Sequence, residues 1–394
     1  MKIKKIHVAI VVVIFISIVS LNACKTIRNN FTTPPKPWSG YCKVKSHVSS
    51  YDPNKKTVFI IADPKVTEMF DMLTPFYLFN STGKANVFIV AKDKTPILVK
   101  RNLFVLPQLT FKEADSLKAK ADVIVIPALS IRDENQDTAV ISWIKRNFRA
   151  DTRILSICDG ASTAAATGLY DGKSITCHAS DLESIQRHFK KLVWIRNVSV
   201  VKDGNLFSTA GVSNAVDGSL IVINELFGQE TMQKILNEIR YPYPEVKLFH
   251  ESIVLKGRNK FTVAMKILFR SNKEIGMLLK NGINEFELAG VLDIYSRTFP
   301  ASFKTYLLGD STVQTKYGLT LINTGDNSIK GLDELHVLSP ELFTKADQVF
   351  FKNTKIVRYD HQQKQYLVDK CIKRIGDQYG SRFADFVKIS LDYN

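Results

Sequence analysis

A strand, a sharp turn and a helix of small residues follow one another between residues 152 and 170. The run from Arg153 to Ile157 is typical of a short buried strand, and Cys158-Asp159-Gly160 has the composition of a tight turn. Ala161 to Thr167 is rich in alanine, so this helix can pack closely against a sheet. The order predicts an α/β fold that holds Cys158 at the carboxyl end of a strand, where open α/β sheets bind ligands.

This position makes Cys158 a candidate nucleophile. The free N–H groups and the dipole at the amino terminus of the following helix favour a thiolate, so we expect the pKa of Cys158 to be lowered. The alternative is an inert cysteine buried at the end of a packed strand. The sequence of the turn leaves both possibilities open.

The composition is that of a globular protein of two or three domains. The chain has 394 residues, of which 45% are hydrophobic and 10% aromatic, and a domain takes roughly 150 residues. The formal net charge of +16 favours anionic partners such as a membrane surface or nucleic acid. Because no helix-turn-helix or zinc-finger spacing accompanies this charge, we expect no nucleic-acid partner.

The amino terminus has the pattern of an export signal over residues 1–23. Lys2, Lys4 and Lys5 precede an apolar run from Val8 to Leu21. The following Leu21-Asn22-Ala23-Cys24 resembles the lipobox of bacterial lipoproteins, which implies a diacylated Cys24. We therefore expect the protein to be anchored by lipid to the cell membrane, outside the cytoplasm. An uncleaved transmembrane helix is the alternative.

Four other cysteines remain after Cys24, and their scattered positions match neither a disulfide framework nor a metal site. We expect no metal and no cofactor, although a pair of cysteines outside the cytosol could still oxidise. The four are Cys42, Cys158, Cys177 and Cys371.

The body of the chain alternates predicted strands and helices after a proline-containing linker at residues 24–56. This alternation predicts a doubly wound parallel sheet. A breaker, Tyr241-Pro242-Tyr243-Pro244, suggests that the first domain spans residues 57–245. The predicted strands are 57–61, 86–90, 122–127 and 153–157, and the predicted helices are 67–79, 140–148, 181–188, 215–227 and 229–239.

Several ordered segments resemble the ThiJ/PfpI family of the class I glutamine amidotransferase-like superfamily. The pattern is closest to isonitrile hydratases and to the amidase-like domains of some AraC-type regulators. The resemblance implies a flavodoxin-like fold and a small-molecule ligand. Its segments are 156–161, Gly168-Leu169-Tyr170-Asp171-Gly172-Lys173, 176–178, 202–206, Thr209-Ala210-Gly211 and Glu225-Leu226-Phe227-Gly228.

The resemblance also assigns roles to individual residues. Asp71 matches the acidic residue that approaches the nucleophile from the first helix, and a carboxyl beside a thiolate would have a raised pKa and could carry a proton. His178 lies in a segment near the pocket, as a pocket residue, a general base or a purely structural residue. Asp159 directly follows the nucleophile, at the position where family peptidases have histidine, which argues against proteolysis. Asp159 and Gly160 are also expected to line or support the pocket.

One departure from the family pattern concerns the pocket wall. The family usually has two glycines with backbone donors facing the nucleophile, where this chain has Ala128 and Leu129. Side chains at these positions narrow the pocket.

Residues 246–394 resemble a truncated second copy of the same fold. The run from Ile275 to Gly290 repeats the opening strand and helix and places Glu287 at the position of Asp71. No elbow cysteine follows, and residues 365–393 are predicted as two closing helices. The copies could form an intramolecular pseudo-dimer, or the chain could form a homodimer.

Two functions remain open at this point. The first is a cysteine-dependent hydratase or amidohydrolase that acts on a small molecule, with Cys158 as nucleophile and Asp71 as proton carrier. The second is a non-catalytic module that binds a ligand or senses oxidants.

Overall fold

The computed structural model describes residues 23–129, 131, 133, 135–325, 331–359 and 365–393. The predicted export signal therefore lies outside the described residues, apart from Ala23. In the described part of the chain no helix is long and apolar enough to cross a membrane.

The first unit is built on a seven-stranded sheet with the order β10-β11-β7-β6-β1-β2-β5, in which only the β10–β11 pair is antiparallel. Its inner strand β1 is apolar on both faces, as expected of a parallel strand covered on both sides. The strands of this unit are β1 (Lys56–Ile61), β2 (Ala85–Ala91), β3 (Ile97–Val99), β4 (Leu103–Val105), β5 (Leu109–Thr110), β6 (Val123–Ile126), β7 (Arg153–Ser156), β8 (Ser174–Ile175), β9 (Val193–Trp194), β10 (Val200–Asp203) and β11 (Leu206–Thr209).

Helices cover both faces of this sheet and enclose two apolar cores. Val58 and Ile60 of β1 face one core, while Phe59 and Ile61 face the other. This arrangement confirms the predicted doubly wound α/β fold. The helices are α1 (Met69–Ser81), α2 (Phe111–Ser116), α3 (Thr138–Asn147), α4 (Gly160–Ala166), α5 (Leu182–His188), α6 (Ala215–Phe227) and α7 (Gln229–Ile239).

The second unit has a smaller parallel sheet with the order β13-β12-β16-β17. This is the order of β2-β1-β6-β7 in the first unit, so the second copy retains the central half of the sheet. Its strands are β12 (Glu274–Leu278), β13 (Ser302–Tyr306), β14 (Val313–Gln314), β15 (Thr320–Asn323), β16 (Glu334–Val337) and β17 (Lys355–Arg358), and its helices are α8 (Gly257–Phe269), α9 (Glu285–Ser296), α10 (Lys345–Phe350), α11 (Leu367–Tyr379) and α12 (Ser381–Leu391).

The first helices of the two units correspond residue by residue. Helix α1 begins after Glu68, whose side chain accepts a hydrogen bond from the Asp71 backbone, and α9 begins after Asn284, which accepts from the Glu287 backbone. Both bonds join an N-cap to the third residue of its helix, as capping side chains do. Glu287 therefore occupies the position that Asp71 has in the first unit.

The two units pack against each other through these helices and through a shared sheet. The rings of Phe70 in α1 and Phe286 in α9 lie 5.8 Å apart. In each unit two short strands follow the second long strand, namely β3 and β4 after β2, and β14 and β15 after β13. Strand β4 pairs with β15 in the antiparallel sheet β14-β15-β4-β3, so this sheet contains strands of both units. The interface therefore joins matching elements of both copies.

The segment predicted as a linker, residues 24–56, contacts the body of the protein. Residues Arg28–Thr32 form a π-helical turn, and Asn29 and Asn30 donate hydrogen bonds to the carbonyls of Ala301 and Pro300. The ring of Phe31 stacks on Phe299 at 5.1 Å. The amino-terminal segment is thus attached to the second unit before it reaches β1.

Candidate active site

The elbow that carries Cys158 is present and strained. Strand β7 ends at Ser156 and α4 begins at Gly160, and between them Cys158 has φ of 54°, in the left-handed region that a non-glycine residue rarely adopts. The Cys158 N–H donates to Thr209 Oγ1 at 3.4 Å. Strained backbone of this kind is characteristic of functional sites.

Gly160 permits the close contact on which the elbow depends. A Cβ at Gly160 would lie 2.1 Å from the carbonyl oxygen of Ile126 and 2.7 Å from that of Pro127. These are backbone atoms and cannot rotate away, so only glycine lets α4 approach the end of β6 this closely.

Asp71 lies in the first turn of α1 with no exposed surface. Its Oδ2 accepts a hydrogen bond from the Ala128 N–H at 3.0 Å, whereas Oδ1 has no hydrogen-bond partner. Burial, followed by the charge of Glu68, raises the pKa of Asp71 well above its ordinary value. The raised pKa favours the protonated carboxyl, and its proton belongs on Oδ1 because Oδ2 already accepts.

The structure brings Cys158 and Asp71 together, but it corrects the expected thiolate. Cys158 is only 6% exposed, and burial, then the charges of Asp71 and Asp159, raises the pKa of its thiol well above the ordinary value. The predicted lowering relied on the amino terminus of α4, which has only seven residues. Loss of solvation and nearby carboxylates outweigh so short a helix.

Ala128 and Leu129 close the carboxyl end of the sheet. The Glu68 N–H donates to the Ala128 carbonyl at 3.0 Å, and Thr67 and Leu129 form an isolated antiparallel bridge. Both wall residues line a cavity of about 600 Å³ whose lining includes Glu68 but not Cys158. The Ala128 N–H, a candidate donor toward the nucleophile, is already bonded to Asp71.

Asp159 and His178 have different surroundings. Asp159 is 8% exposed, and its charge raises the pKa of both Cys158 and Cys177. His178 Nδ1 accepts a hydrogen bond from the Ser180 N–H at 3.2 Å and lies 3.6 Å from Asp181 Oδ2. These contacts place His178 at the turn before α5, and none of them joins it to the sulfur.

Sequence reasoning missed a buried charged network at the interface of the two units. Lys100 Nζ lies 3.0 Å from Glu68 Oε1 and 2.8 Å from Asp293 Oδ1. Arg297 donates to Asp293 Oδ2 through Nε at 3.1 Å and through Nη2 at 2.9 Å. When Asp71 is protonated, the two cations balance the carboxylates of Glu68 and Asp293.

The second unit therefore contributes charge to the site of the first. Burial raises the pKa of Asp293, but Arg297 and Lys100 lower it to about 2. Burial lowers the pKa of Arg297, but Asp293 and Glu68 raise it above its ordinary value. The i,i+4 spacing of Asp293 and Arg297 was the one sequence signal for this network.

A second carboxylate from the end of the chain enters the first unit near the predicted pocket. Asp392, 1% exposed, accepts from the Ala179 N–H through Oδ2 at 3.3 Å, and its Oδ1 lies 2.8 Å from His250 Nε2. A Cβ at Gly211 would lie 2.0 Å from the Asp392 Cβ. The absence of a side chain at Gly211, in the Thr209-Ala210-Gly211 segment, thus leaves the space that the Asp392 side chain occupies.

The remaining cysteines and possible metal ligands make no further site. Cys24 is exposed, and none of the five cysteines forms a disulfide, the others being Cys42, Cys158, Cys177 and Cys371. In the described ranges no group of three or more His, Cys, Asp or Glu side chains could hold a metal ion.

Comparison with known proteins finds a family match in the first unit. The model of the DJ-1/PfpI family matches residues 55–224. The isonitrile hydratase of Pseudomonas putida is 27% identical over 179 residues, which are 45% of this chain and 75% of the hydratase. The Parkinson disease protein 7 homolog of Danio rerio is 24% identical over 185 residues, or 46% of this chain and 94% of that protein.

Among solved structures, Drosophila melanogaster DJ-1beta aligns with 48% of this chain and 100% of its own, with 22% identity and a TM-score of 0.43. The sequence matches agree with the ThiJ/PfpI resemblance of the elbow and of the segments after it. The chain therefore carries, in residues 55–224, a domain of the DJ-1/PfpI family.

Proposed function

We propose that the first unit adds water to a small electrophilic carbon, as in the hydration of an isonitrile, with Cys158 as nucleophile and Asp71 as proton carrier. The observation that supports this is a strained elbow cysteine beside a carboxyl whose pKa is raised by burial. The similarity to an isonitrile hydratase favours the same class of reaction.

The raised pKa of Cys158 determines how the first step proceeds. The sulfur bonds to the isonitrile carbon while Asp71 gives its Oδ1 proton to that carbon, and the thiol proton passes to Asp71. The product of this step is a neutral thioimidate, and Asp71 is again protonated. No free thiolate is needed at rest, which fits a thiol that burial keeps protonated.

Water completes the reaction with the same two groups. Its oxygen bonds to the thioimidate carbon while one of its protons passes to the nitrogen. The second proton then goes to the sulfur through Asp71 as the carbon–sulfur bond breaks. The product is an N-substituted formamide, and Cys158 leaves as a thiol. A carrier that gives and receives one proton in each half-reaction must have a pKa near the working pH, and burial shifts that of Asp71 in this direction.

Turnover of cyclohexyl isocyanide to its formamide, followed by NMR, tests the proposal. We expect the wild type to turn over and Cys158→Ser to lose the activity, because the hydroxyl is a far weaker nucleophile. A wild type that leaves isonitriles, amides and α-oxoaldehydes unchanged would contradict the proposal. Circular dichroism of both proteins checks that the substitution preserves the fold.

One observation favours the alternative of a non-catalytic ligand-binding module. The cavity bounded by Ala128 and Leu129 does not include Cys158 in its lining, and the sulfur is nearly enclosed. A ligand in that cavity would contact Glu68 rather than the thiol. Tight binding of a small molecule without any chemical change to it would support this function.

We also propose that the protein is anchored to a membrane through a lipid on Cys24. Its side chain is exposed, and the following turn is fixed to the body by Asn29 and Asn30. In a bacterial host supplied with labelled palmitate, we expect label on the wild type and on Cys42→Ala but not on Cys24→Ala. Label that persists in Cys24→Ala, or a purified protein that retains residues 1–23, would contradict the anchor.

A further inference from the structure

A large cleft lies between the amino-terminal segment and both units. Its volume is about 650 Å³, and it is separate from the elbow. We call it the strap cleft, because residues 33–39 lie across it. On the other side it is bounded by residues 98–104 of the first unit and residues 300–304 of the second. None of the short segments that carry the ThiJ/PfpI resemblance contributes a residue to its lining.

The charges around the strap cleft are all of one sign. Its lining includes Lys36, Lys100, Arg101 and Lys304 and no aspartate or glutamate. Lys100 is paired with Glu68 and Asp293. In the described part of the chain the other three cations have no carboxylate partner within ion-pair distance. The cleft therefore carries an uncompensated positive potential that favours an anion.

Apolar and aromatic surface makes up much of the rest of the lining. Trp38 packs edge-on against Phe104 with ring centroids 5.3 Å apart, and Phe303 lies on the opposite wall. Pro34, Pro35 and Pro37 add further apolar faces. Such surfaces bind planar or apolar groups, since burying them removes apolar area from water.

Two polar atoms of the lining have unused hydrogen-bonding capacity. Asn102, 1% exposed, donates through Nδ2 to Ser296 Oγ at 3.1 Å, but its Oδ1 has no partner. The indole Nε1 of Trp38 is also buried without a partner. Buried polar groups are nearly always hydrogen-bonded, but here an unsatisfied acceptor and an unsatisfied donor belong to residues of the lining.

Two of the cations, Lys100 and Arg101, lie in the tight turn between β3 and β4. Lys100 and Arg101 have φ of 47° and 71°, so both central residues of the turn are left-handed without being glycine. Arg101 Nη1 donates to the carbonyl of Asn29 and to that of Thr33. Arg101 thus holds the strap in place while it lines the cleft.

We infer that the strap cleft binds a small organic anion with a planar apolar body. The cations attract the acidic group, the aromatic rings and prolines cover the body, and Asn102 and Trp38 select for a donor and an acceptor. This site is distinct from the Cys158 elbow, so its test does not depend on whether the proposed hydration occurs.

The test uses 8-anilinonaphthalene-1-sulfonate, a planar anion with an N–H donor, as a fluorescent probe on the full chain. We expect saturable binding that quenches tryptophan fluorescence. The double variant Lys36→Gln/Lys304→Gln should bind about tenfold more weakly, from the loss of two partly solvated charge interactions. Trp38→Phe should also weaken binding, because it removes the donor but keeps an aromatic face.

The matched control removes two exposed lysines elsewhere. Lys234→Gln/Lys345→Gln has the same net charge as the test variant and should bind the probe as the wild type does. The neutral analogue N-phenyl-1-naphthylamine should bind at least several-fold more weakly than the sulfonate. Equal affinity of both probes, or equal affinity of the test and control variants, would overturn the inference.

Discussion

Replacement of Asp71 by asparagine should lower the rate of isonitrile hydration by about 10²- to 10⁴-fold, the usual contribution of a positioned proton carrier. Asparagine has the same shape and can still accept the Ala128 N–H bond, so the site should keep its geometry. It cannot give a proton to the isonitrile carbon or receive the thiol proton. The loss should appear in kcat, with stability unchanged.

The pH dependence follows from the direction of the Asp71 shift. Its pKa in the folded protein lies above the ordinary 3.8, so the carboxyl keeps its proton to a higher pH than a solvated aspartate would. Activity should persist through the mildly acidic range and fall as the pH rises through that raised pKa, where the acid form is lost. The residual activity of Asp71→Asn should not show this fall.

Asp181→Asn is the matched control for this experiment. Asp181 is half exposed and lies beside His178, outside the contacts of Asp71. Its replacement should leave kcat within a factor of about two, since a solvated carboxylate contributes little. The mechanism would be wrong if Asp71→Asn retained more than half of the wild-type rate.

Replacement of Arg297 by methionine should lower the free energy of unfolding by about 3–5 kcal/mol, the usual cost of removing one partner from a buried ion pair. Methionine fills similar volume, but among the described residues it leaves Asp293 paired with Lys100 alone and leaves the Ser390 carbonyl without the Arg297 donor. Denaturant unfolding followed by fluorescence measures the loss. If this variant does not fold, Arg297→Lys, which keeps the positive charge, should show a smaller loss in the same measurement.

Arg146→Met is the control for this prediction. Arg146 pairs with Asp115 at 2.8 Å, but its side chain is 50% exposed, and such pairs contribute about 0–1 kcal/mol. The pKa of Asp293 is held at about 2, below its ordinary value, so its stabilisation is present at neutral pH and is lost as the pH falls through that value. Arg297→Met should weaken this acid sensitivity. Equal losses in Arg146→Met and Arg297→Met would contradict a buried network.

Much of the fold could be predicted from local patterns. The closing helices α6 and α7 have the predicted bounds, because each shows clear helical periodicity and Gly228 ends the first. The repeated strand and helix of the second unit were visible because the run from Ile275 to Gly290 resembles the opening strand and helix of the first unit and places Glu287 at the position of Asp71. The matching caps of the two helices agree with this alignment. Helix α8 was missed, since its buried face is confined to Asn259, Lys266 and Ile267.

The candidate site was predicted only in part, for a physical reason. The elbow and Asp71 each lie in a continuous stretch of sequence that can be recognised by itself. Lys100 and Asp293, in contrast, meet only across the interface of the two units. A charged residue in a sequence is expected to be solvated, and nothing nearby shows that another charge will compensate its burial. The expected low pKa of Cys158 failed for the same reason, because desolvation is a property of the assembled fold.

The attachment of Arg297 and Asp293 to the same polypeptide as Asp71 has a consequence for function. If these groups came from a second chain in a dimer, dilution would dissociate the dimer and remove them from the site, because association depends on concentration. Here covalent connection supplies the partner at a fixed, high effective concentration. The site should therefore remain complete however scarce the protein is.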